Sequence, residues 1–445
     1  MKRRKLLVLS IDALNTKDFD MIKELPNFSG FFKKGSYGKY LKGVYPSHTY
    51  TTHVSVITGV YPNKHGVISN FIPTPGELKP DWHWQYDYIQ SANLLDLARE
   101  KGLTTATFLW PVTAKGPQNY NLPEIWDPKG ENSQIWLSLS NGTPLFLLRV
   151  YKKFRHLLRG THHPELDDFT TQCVLDLLSR KNVDLTFVHL TDLDTHRHYY
   201  GTMHEESRKA LVRIDQGLGA IFSLLSEKKE LENTDIIAFG DHGFLDITHR
   251  IHINHLFLQK NWLSFNEHNR LLHWKTWANS CEGSCHIYLK DPRDQKFETQ
   301  VYNYLLELQK DPTYGIEQIF TKKDFDHLHT GGEASFILEA RKGFAFTHDW
   351  QGPAIELIEK NPDKKTMIAC HGYSPDKEDY TSLFLAMGPS FKKGGVLDSV
   401  GIIDIAPTLA RIQDLNLPST DGRVLEEILT LPQSKTLKGR GMESH

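Results

Sequence analysis

Short apolar runs rich in Val, Ile, Leu and Phe alternate with helical patterns along this chain, and four of them run directly into Asp or His residues. Runs of this kind, spaced by helix-length segments, mark a mainly parallel sheet covered by helices on both faces. Strands are predicted over 5–11, 104–110, 184–191, 234–240, 366–370 and 381–387. Between them, Ser91 to Lys101 sets Leu94, Leu95, Leu97 and Ala98 at helical spacing, and Glu206 to Glu227 continues with Leu211, Ile214, Leu218, Ile221 and Leu225 on one face. A closing helix is expected from about Ile403 to Leu415, with Asp404 and Pro407 near its start. The expected fold class is α/β.

Two stretches break the alternation. Residues 250–363 are rich in His, Trp, Asn and Lys and carry the turn-like Glu282-Gly283-Ser284 and Gly331-Gly332, so they read as a cap inserted into a core of 1–249 and 364–430. Residues 111–165, with Pro111, Gly116, Pro117, Pro123, Pro128 and Gly130, read as an irregular excursion near the site.

Composition bounds the partners. With 445 residues, 39% of them hydrophobic and 24% charged, the chain has the makings of a sizeable core. Lys+Arg of 52 against Asp+Glu of 54 leaves a net charge of −2, too little basic field to hold a nucleic-acid polymer. Four cysteines are too few for a disulfide framework in a chain this long, which points to a reducing, cytoplasmic setting. The basic Met1 to Lys5 precedes an apolar run that Asp12 ends short of a signal-peptide length. No stretch approaches the ~18–20 apolar residues needed for a membrane span.

The chemistry collects where the strands end. The first predicted strand reaches Asp12, the one at 184–191 runs into Asp192-Leu193-Asp194-Thr195-His196-Arg197-His198, the next into Asp241-His242-Gly243, and 366–370 into His371-Gly372. In an open parallel sheet, ligands sit beyond the carboxyl ends of the strands, so these residues would meet on one rim. Carboxylates and imidazoles in that number suit zinc, or less selectively manganese. Each piece alone is more often a helix cap or a turn than a ligand, and Asp192/His196 and Asp194/His198 share the same spacing, so spacing does not choose between them. A second feature is Pro46-Ser47-His48-Thr49-Tyr50-Thr51-Thr52-His53, a hydroxyl-rich turn leading into an apolar helix. Helix N–H groups and the positive helix end would suit an anion or an alkoxide there, or Ser47 or Thr49 simply caps the helix.

In order and spacing, Ser10-Ile11-Asp12, Pro46 to Gly59, Tyr61-Pro62 to His65-Gly66, Asp194 to His198 with Gly201, Asp241-His242-Gly243 and His371-Gly372-Tyr373 resemble the type I phosphodiesterase/nucleotide pyrophosphatase family of the alkaline phosphatase superfamily. Asp404-Ile405-Ala406-Pro407-Thr408 is similar to the superfamily's closing segment. The resemblance implies an alkaline phosphatase-like core holding two Zn2+ (or Mn2+), with Thr49 as nucleophile. It implies one ion held by Asp12, Thr49, Asp241 and His242 and another by Asp194, His198 and His371, because the family histidine is followed three residues later by glycine, as His198 is by Gly201. Asn70 falls where the family binds a phosphoryl oxygen, and Tyr50 and His189 fall at its base-contacting positions.

The implied activity is hydrolysis of a small phosphodiester or nucleotide-like anhydride through a phosphothreonine, since two metals ~4 Å apart can bridge a phosphoryl oxygen. A neutral Asn70 inclines the reading to a diester over a monoester. A phosphonate hydrolase or phosphomonoesterase of the same superfamily is the alternative, and a non-catalytic binding protein is the non-enzymatic one. No Cys/Ser-x-Pro-x-Arg context supports a sulfatase. His48, and Thr51-Thr52 in place of the family's proline-asparagine pair, depart from the pattern and leave base recognition open, and oligomeric state is not legible.

Overall fold

Lys5–Ile11 is buried at every position, and in the computed structural model, which describes residues 3–359 and 365–430, this strand lies in the interior of a nine-stranded sheet. The strands are β1 (Lys5–Ile11), β2 (Ser36–Lys42), β3 (Thr105–Trp110), β4 (Tyr120–Pro123), β5 (Leu185–Leu190), β6 (Thr234–Phe239), β7 (Ser382–Met387), β8 (Gly395–Leu397) and β9 (Val400–Gly401). Their order is β8-β2-β7-β6-β1-β5-β3-β4, with β9 also paired to β2. β1 is parallel to both β5 and β6, and β3 is parallel to β5 and β4, while β7 runs antiparallel between β6 and β2.

Side chains alternate faces along a strand, and β1 divides the core accordingly. Leu7, Leu9 and Ile11 join the layer containing Phe169, Leu177, Leu211, Ile214 and Leu218 from the helices Glu165–Arg180 and Glu205–Glu227. Leu6 and Val8 join the opposite layer with Val56 and Ile57, Leu94 and Leu95, and Ile405 and Leu409. These come from the helices Thr49–Thr58, Leu94–Glu100 and Ile405–Gln413. The expected helices therefore form, and the α/β expectation holds.

Three expectations need correction. Only Ala369–Cys370 of 366–370 is extended, and it pairs antiparallel with Leu245–Ile251 outside the central sheet. β2 and β4 were missed; β2 carries Gly38 and three polar positions in seven, and β4 is only four residues long. The 111–165 stretch is not wholly irregular: Gln134–Asn141 and Pro144–Phe154 are helices, with Pro144 tolerated in the first turn.

Within 250–359, Thr276–Cys281, Ser284–Leu289, Phe336–Ala340 and Ile316–Thr321 form a four-stranded antiparallel sheet in that order. Its apolar face packs with Leu245, Ile251, Phe257 and Tyr373 into a separate core cluster. The expected boundary at 363/364 lies outside the described residues. Among the described residues, no helix is long and apolar enough to cross a membrane.

Candidate metal centre and cavity

The parallel neighbours β5, β1 and β6 end side by side, which brings residues distant in sequence to one rim. Asp12 follows β1, His189 lies near the end of β5, and Asp241-His242 follows β6. His48 occupies the N-cap of the helix Thr49–Thr58 without a side-chain cap bond, and Ser47 bonds instead to the Val44 carbonyl. The Thr49 hydroxyl is thus not consumed by capping; its Oγ1 lies 3.3 Å from His242 Nε2.

His242 Nε2 is also 3.1 Å from Asp12 Oδ1 and 3.4 Å from Asp241 Oδ2. Its Nδ1 faces the Gly243 carbonyl at 3.2 Å, and since a carbonyl only accepts, Nδ1 carries the proton. Nε2, a hydroxyl and two carboxylates then crowd one point, and only a proton or a cation can stabilise that crowding. Asp241 Oδ1 is held by the Ala13 and His242 N–H groups, leaving Oδ2 free to face the point.

The second group forms on the helix Asp192–Tyr200 and the loop after Cys370. His198 Nδ1 faces the Ala369 carbonyl at 2.9 Å, so its Nε2 is presented to Asp194 Oδ2 at 3.5 Å. His371 Nε2 is 3.9 Å from Asp194 Oδ1, and the His371 ring stacks on His242 with centroids 3.8 Å apart. Gly372 permits this approach: its φ is +83°, and a Cβ there would lie 1.8 Å from the Cys281 carbonyl oxygen. Asp192 and His196, at the same spacing, instead pair with each other at 2.8 Å, and Asp192 also binds Arg213.

Asp12, Asp241 and His242 thus have donor atoms within metal-binding range of one another, as do Asp194, His198 and His371. Asp12 Oδ1, Asp194 Oδ1 and Asp241 Oδ2 are buried and take no hydrogen bond among the described residues. Buried carboxylate oxygens left unpaired beside ring nitrogens turned toward them are what a cation would satisfy, and mixed carboxylate and imidazole donors suit zinc or manganese. The residues present therefore fit the expected ions. His53, His189 and Asp241 also fall within range, but His53 Nδ1 donates to the Thr49 carbonyl and both His189 nitrogens face oxygens, so of this group His53 Nε2 and Asp241 Oδ2 alone take no hydrogen bond among the described residues.

The charges reinforce one another. Burial and the neighbouring Asp12 push Asp194 and Asp241 up to about 7. Burial alone would raise Asp12 too, but His189 and His242 facing it hold it well below the usual carboxylate range. Burial would lower His242, yet Asp241 and Asp12 push it up to about 9.

A cavity of about 1170 Å³ opens over this rim, and Asp12, Thr49, Asn70, Asp194, His198 and His371 all reach it. The Asn70 Oδ1 accepts the Tyr50 N–H at 2.9 Å, which leaves its amide N–H groups as donors. Tyr50 and His189 do not line the cavity as expected. His189 is fully buried between Glu124 Oε2 at 2.7 Å and Asp12 Oδ2 at 3.1 Å, and Tyr50 is fully buried with its hydroxyl on the Glu124 carbonyl. Tyr50 instead backs Trp82, at 5.1 Å, and Trp82 lines the cavity with Phe71 and Trp126.

Sequence reasoning missed those three aromatics, along with Glu124 and Glu282. Glu282 stands at the turn between Cys281 and Ser284 with a φ of +60°, and its Oε2 accepts the His371 N–H at 3.2 Å. The turn signal at Glu282-Gly283 was visible; its proximity to His371 arises only in three dimensions.

Comparison with known proteins bears on the family and the fold. Venom phosphodiesterase 2 of Crotalus adamanteus is 25% identical over 264 residues, which are 55% of this chain and 27% of that protein, so the chain spans far less than the full length of such relatives. The human bis(5'-adenosyl)-triphosphatase ENPP4 is 21% identical over 444 residues, covering 94% of this chain and 80% of that protein. Murine ectonucleotide pyrophosphatase/phosphodiesterase 5 superposes with a TM-score of 0.67 at 16% identity, over 96% of this chain and all of that one, which shows a shared fold. The family model described as type I phosphodiesterase/nucleotide pyrophosphatase matches residues 6–374, and the chain belongs to that family.

Proposed function

We propose that this chain hydrolyses phosphodiester or phosphoanhydride bonds of small molecules, with Thr49 as the nucleophile. The carrying observation is the position of Thr49 Oγ1, at the start of a helix and 3.3 Å from His242 Nε2, inside the ring of Asp12 and Asp241. Two zinc ions, at Asp12/Thr49/Asp241/His242 and Asp194/His198/His371, would supply the pKa depression of the hydroxyl and neutralise the departing oxygen.

The chain's own groups do the rest. Thr49 Oγ1 forms a bond to phosphorus while the substituent opposite departs, and water then cleaves the threonine ester. The free amide N–H of Asn70 donates to a non-bridging phosphoryl oxygen. Glu124 and Asp12 hold His189 between them, which fixes the Asp12 carboxylate so that Oδ1 stays directed at the site.

The cavity bears on the substrate. Lys365 is the single Lys or Arg among the described residues lining it, so beyond the two metal positions a dianionic monoester or a long polyphosphate would find little compensation. This favours a diester over the phosphomonoesterase reading. The names of the venom phosphodiesterases and of the triphosphatase relative point the same way. The four cysteines are free and buried, which suits the expected cytoplasmic setting.

The test is zinc-loaded protein offered a phosphodiester, a phosphomonoester, a phosphonate and a sulfate ester with one chromogenic leaving group. The diester should turn over fastest; a monoester hydrolysed faster than the diester defeats the reading.

A further inference from the structure

We propose that the helix pair Gln134–Asn141 and Pro144–Phe154 docks on an anionic lipid surface. These consecutive helices are joined only by Gly142-Thr143, and both present large apolar side chains to solvent. Trp136 is 69% exposed and Ile135 47%, and on the second helix Leu145 is 84% and Leu148 52% exposed. Exposed single apolar residues are ordinary, but four within fourteen positions of one surface excursion are not. The opposite faces account for folding without them: Phe146, Leu147, Val150 and Phe154 are buried in the core beside Phe169.

Charge selects the occupant. From residue 132 to residue 164 the chain has Arg149, Lys152, Lys153, Arg155 and Arg159 and no Asp or Glu, within a molecule whose net charge is −2, and of these Arg159 pairs with Glu165 just beyond at 3.5 Å. Leu145, Leu148 and Lys152 follow at three- and four-residue intervals, so apolar and cationic side chains share one stripe of the helix. Arg149 and Lys153 meet one carboxylate, Asp176, which Arg180 also contacts, leaving that cluster with net positive charge. Exposed Trp and Leu beside Lys and Arg on a short amphipathic element match the interface of a bilayer carrying anionic headgroups. A second copy of this chain would have to bring an acidic surface instead. The same helices place Gln134, Ser138 and Tyr151 on the wall of the cavity, so a docked molecule holds its cavity beside the lipid.

Sedimentation of the intact protein with vesicles decides the matter. The protein should pellet with vesicles of equal parts phosphatidylglycerol and phosphatidylcholine, stay in solution with phosphatidylcholine alone, and be released by salt as the Debye length shrinks to ~3 Å at 1 M. The double variant Trp136→Ser/Leu145→Ser and the charge variant Lys152→Glu/Arg155→Glu should each lose vesicle binding by at least ~10-fold. Their melting curves, and their turnover of a water-soluble chromogenic phosphodiester, should be unchanged. Failure to bind anionic vesicles, equal binding to both compositions, or undiminished binding by the variants overturns the proposal. So does a dimer in sedimentation equilibrium that Trp136→Ser/Leu145→Ser converts to a monomer, because that assigns the face to a second copy.

Discussion

The rim of the central sheet and the neighbouring antiparallel sheet treat some of their buried imidazoles in opposite ways. On the rim, His189, His198 and His242 each face carboxylates and are raised in pKa although burial opposes it, whereas His371 is pushed down by burial and by the imidazoles of His242, His48 and His198 around it. In the second sheet, His286 is fully buried with neither ring nitrogen hydrogen-bonded, and burial pushes it down to about 4. Three imidazoles of the rim therefore concentrate charge, while His286 in the second sheet is kept neutral. The difference lies in topology: parallel strands ending together gather carboxylates at one edge, whereas an antiparallel sheet buries one face and distributes its strand ends.

The strongest way to break this comparison is to remove the nucleophile from the rim. Thr49→Ala should lower turnover by at least ~10³-fold while the fold survives, and Thr49→Ser should retain part of the activity because the hydroxyl remains. Mass-spectrometric trapping on a slow substrate checks it: a phosphoryl adduct on the native chain, absent from Thr49→Ala, is expected. If Thr49 were merely a helix residue, Ala, the better helix former, would spare both stability and turnover.

A somewhat smaller effect separates two histidines on the same helix. His198→Ala should reduce bound metal toward one ion per chain, since it removes a member of the Asp194/His371 group. His196→Ala breaks the pair with Asp192 and the stack on Tyr200 and should cost no more than ~10–100-fold in activity, with metal content preserved. Metal analysis of both variants is the measurement, and equal metal loss in the two would mean that the register is wrong.

Much of the rim was legible in the sequence because each of β1, β5 and β6 announces itself as an apolar run ending in ligand-type residues. The Asp194/His198 register was not legible from spacing; it came from the family pattern, and the pairing of Asp192 with Arg213 supplies its physical reason. β2 escaped notice because it has no continuous apolar run, lying between β7 and the short β8 and β9. The segment 366–370 looked like a rim strand because Met367, Ile368 and Cys370 are apolar, yet it serves the sheet of Leu245–Ile251. Cavity aromatics were illegible for a different reason: Phe71, Trp82 and Trp126 lie on loops, where no periodicity reports which way a side chain faces.

Acid should find the second sheet through His286. Its folded pKa of about 4 lies below the ordinary 6.5, so the unfolded chain takes up the proton first as pH falls. The stabilisation is fully present above pH 6.5 and is lost between there and about 4, which at ~1.36 kcal/mol per pH unit amounts to roughly 3 kcal/mol. Denaturant titrations of the protein and of His286→Leu at pH 7 and pH 5 measure this. The variant should show the smaller drop; identical drops would place the acid sensitivity elsewhere.

The smallest expected effect lies where the two regions meet. Glu282 belongs to the hairpin of the second sheet, but its Oε2 holds the His371 N–H at 3.2 Å and lies 3.8 Å from His371 Nε2. It is a positioning residue: its carboxylate fixes the loop that presents His371 and adds negative charge beside the Asp194 group. Glu282→Gln keeps an acceptor for the N–H and removes the charge, so the fold and Thr49 are untouched. Metal affinity of the Asp194/His198/His371 group should fall by about tenfold, the lower end of what loss of an outer partner costs. The affinity of the Asp12/Asp241/His242 group should not change, because Glu282 reaches no residue of that group in hydrogen-bond range. Competition with a chelator resolves the two affinities. A drop at both groups would show that the charge acts across the whole rim, whereas no drop at either would reduce Glu282 to a turn residue and leave the second sheet without a part in the site.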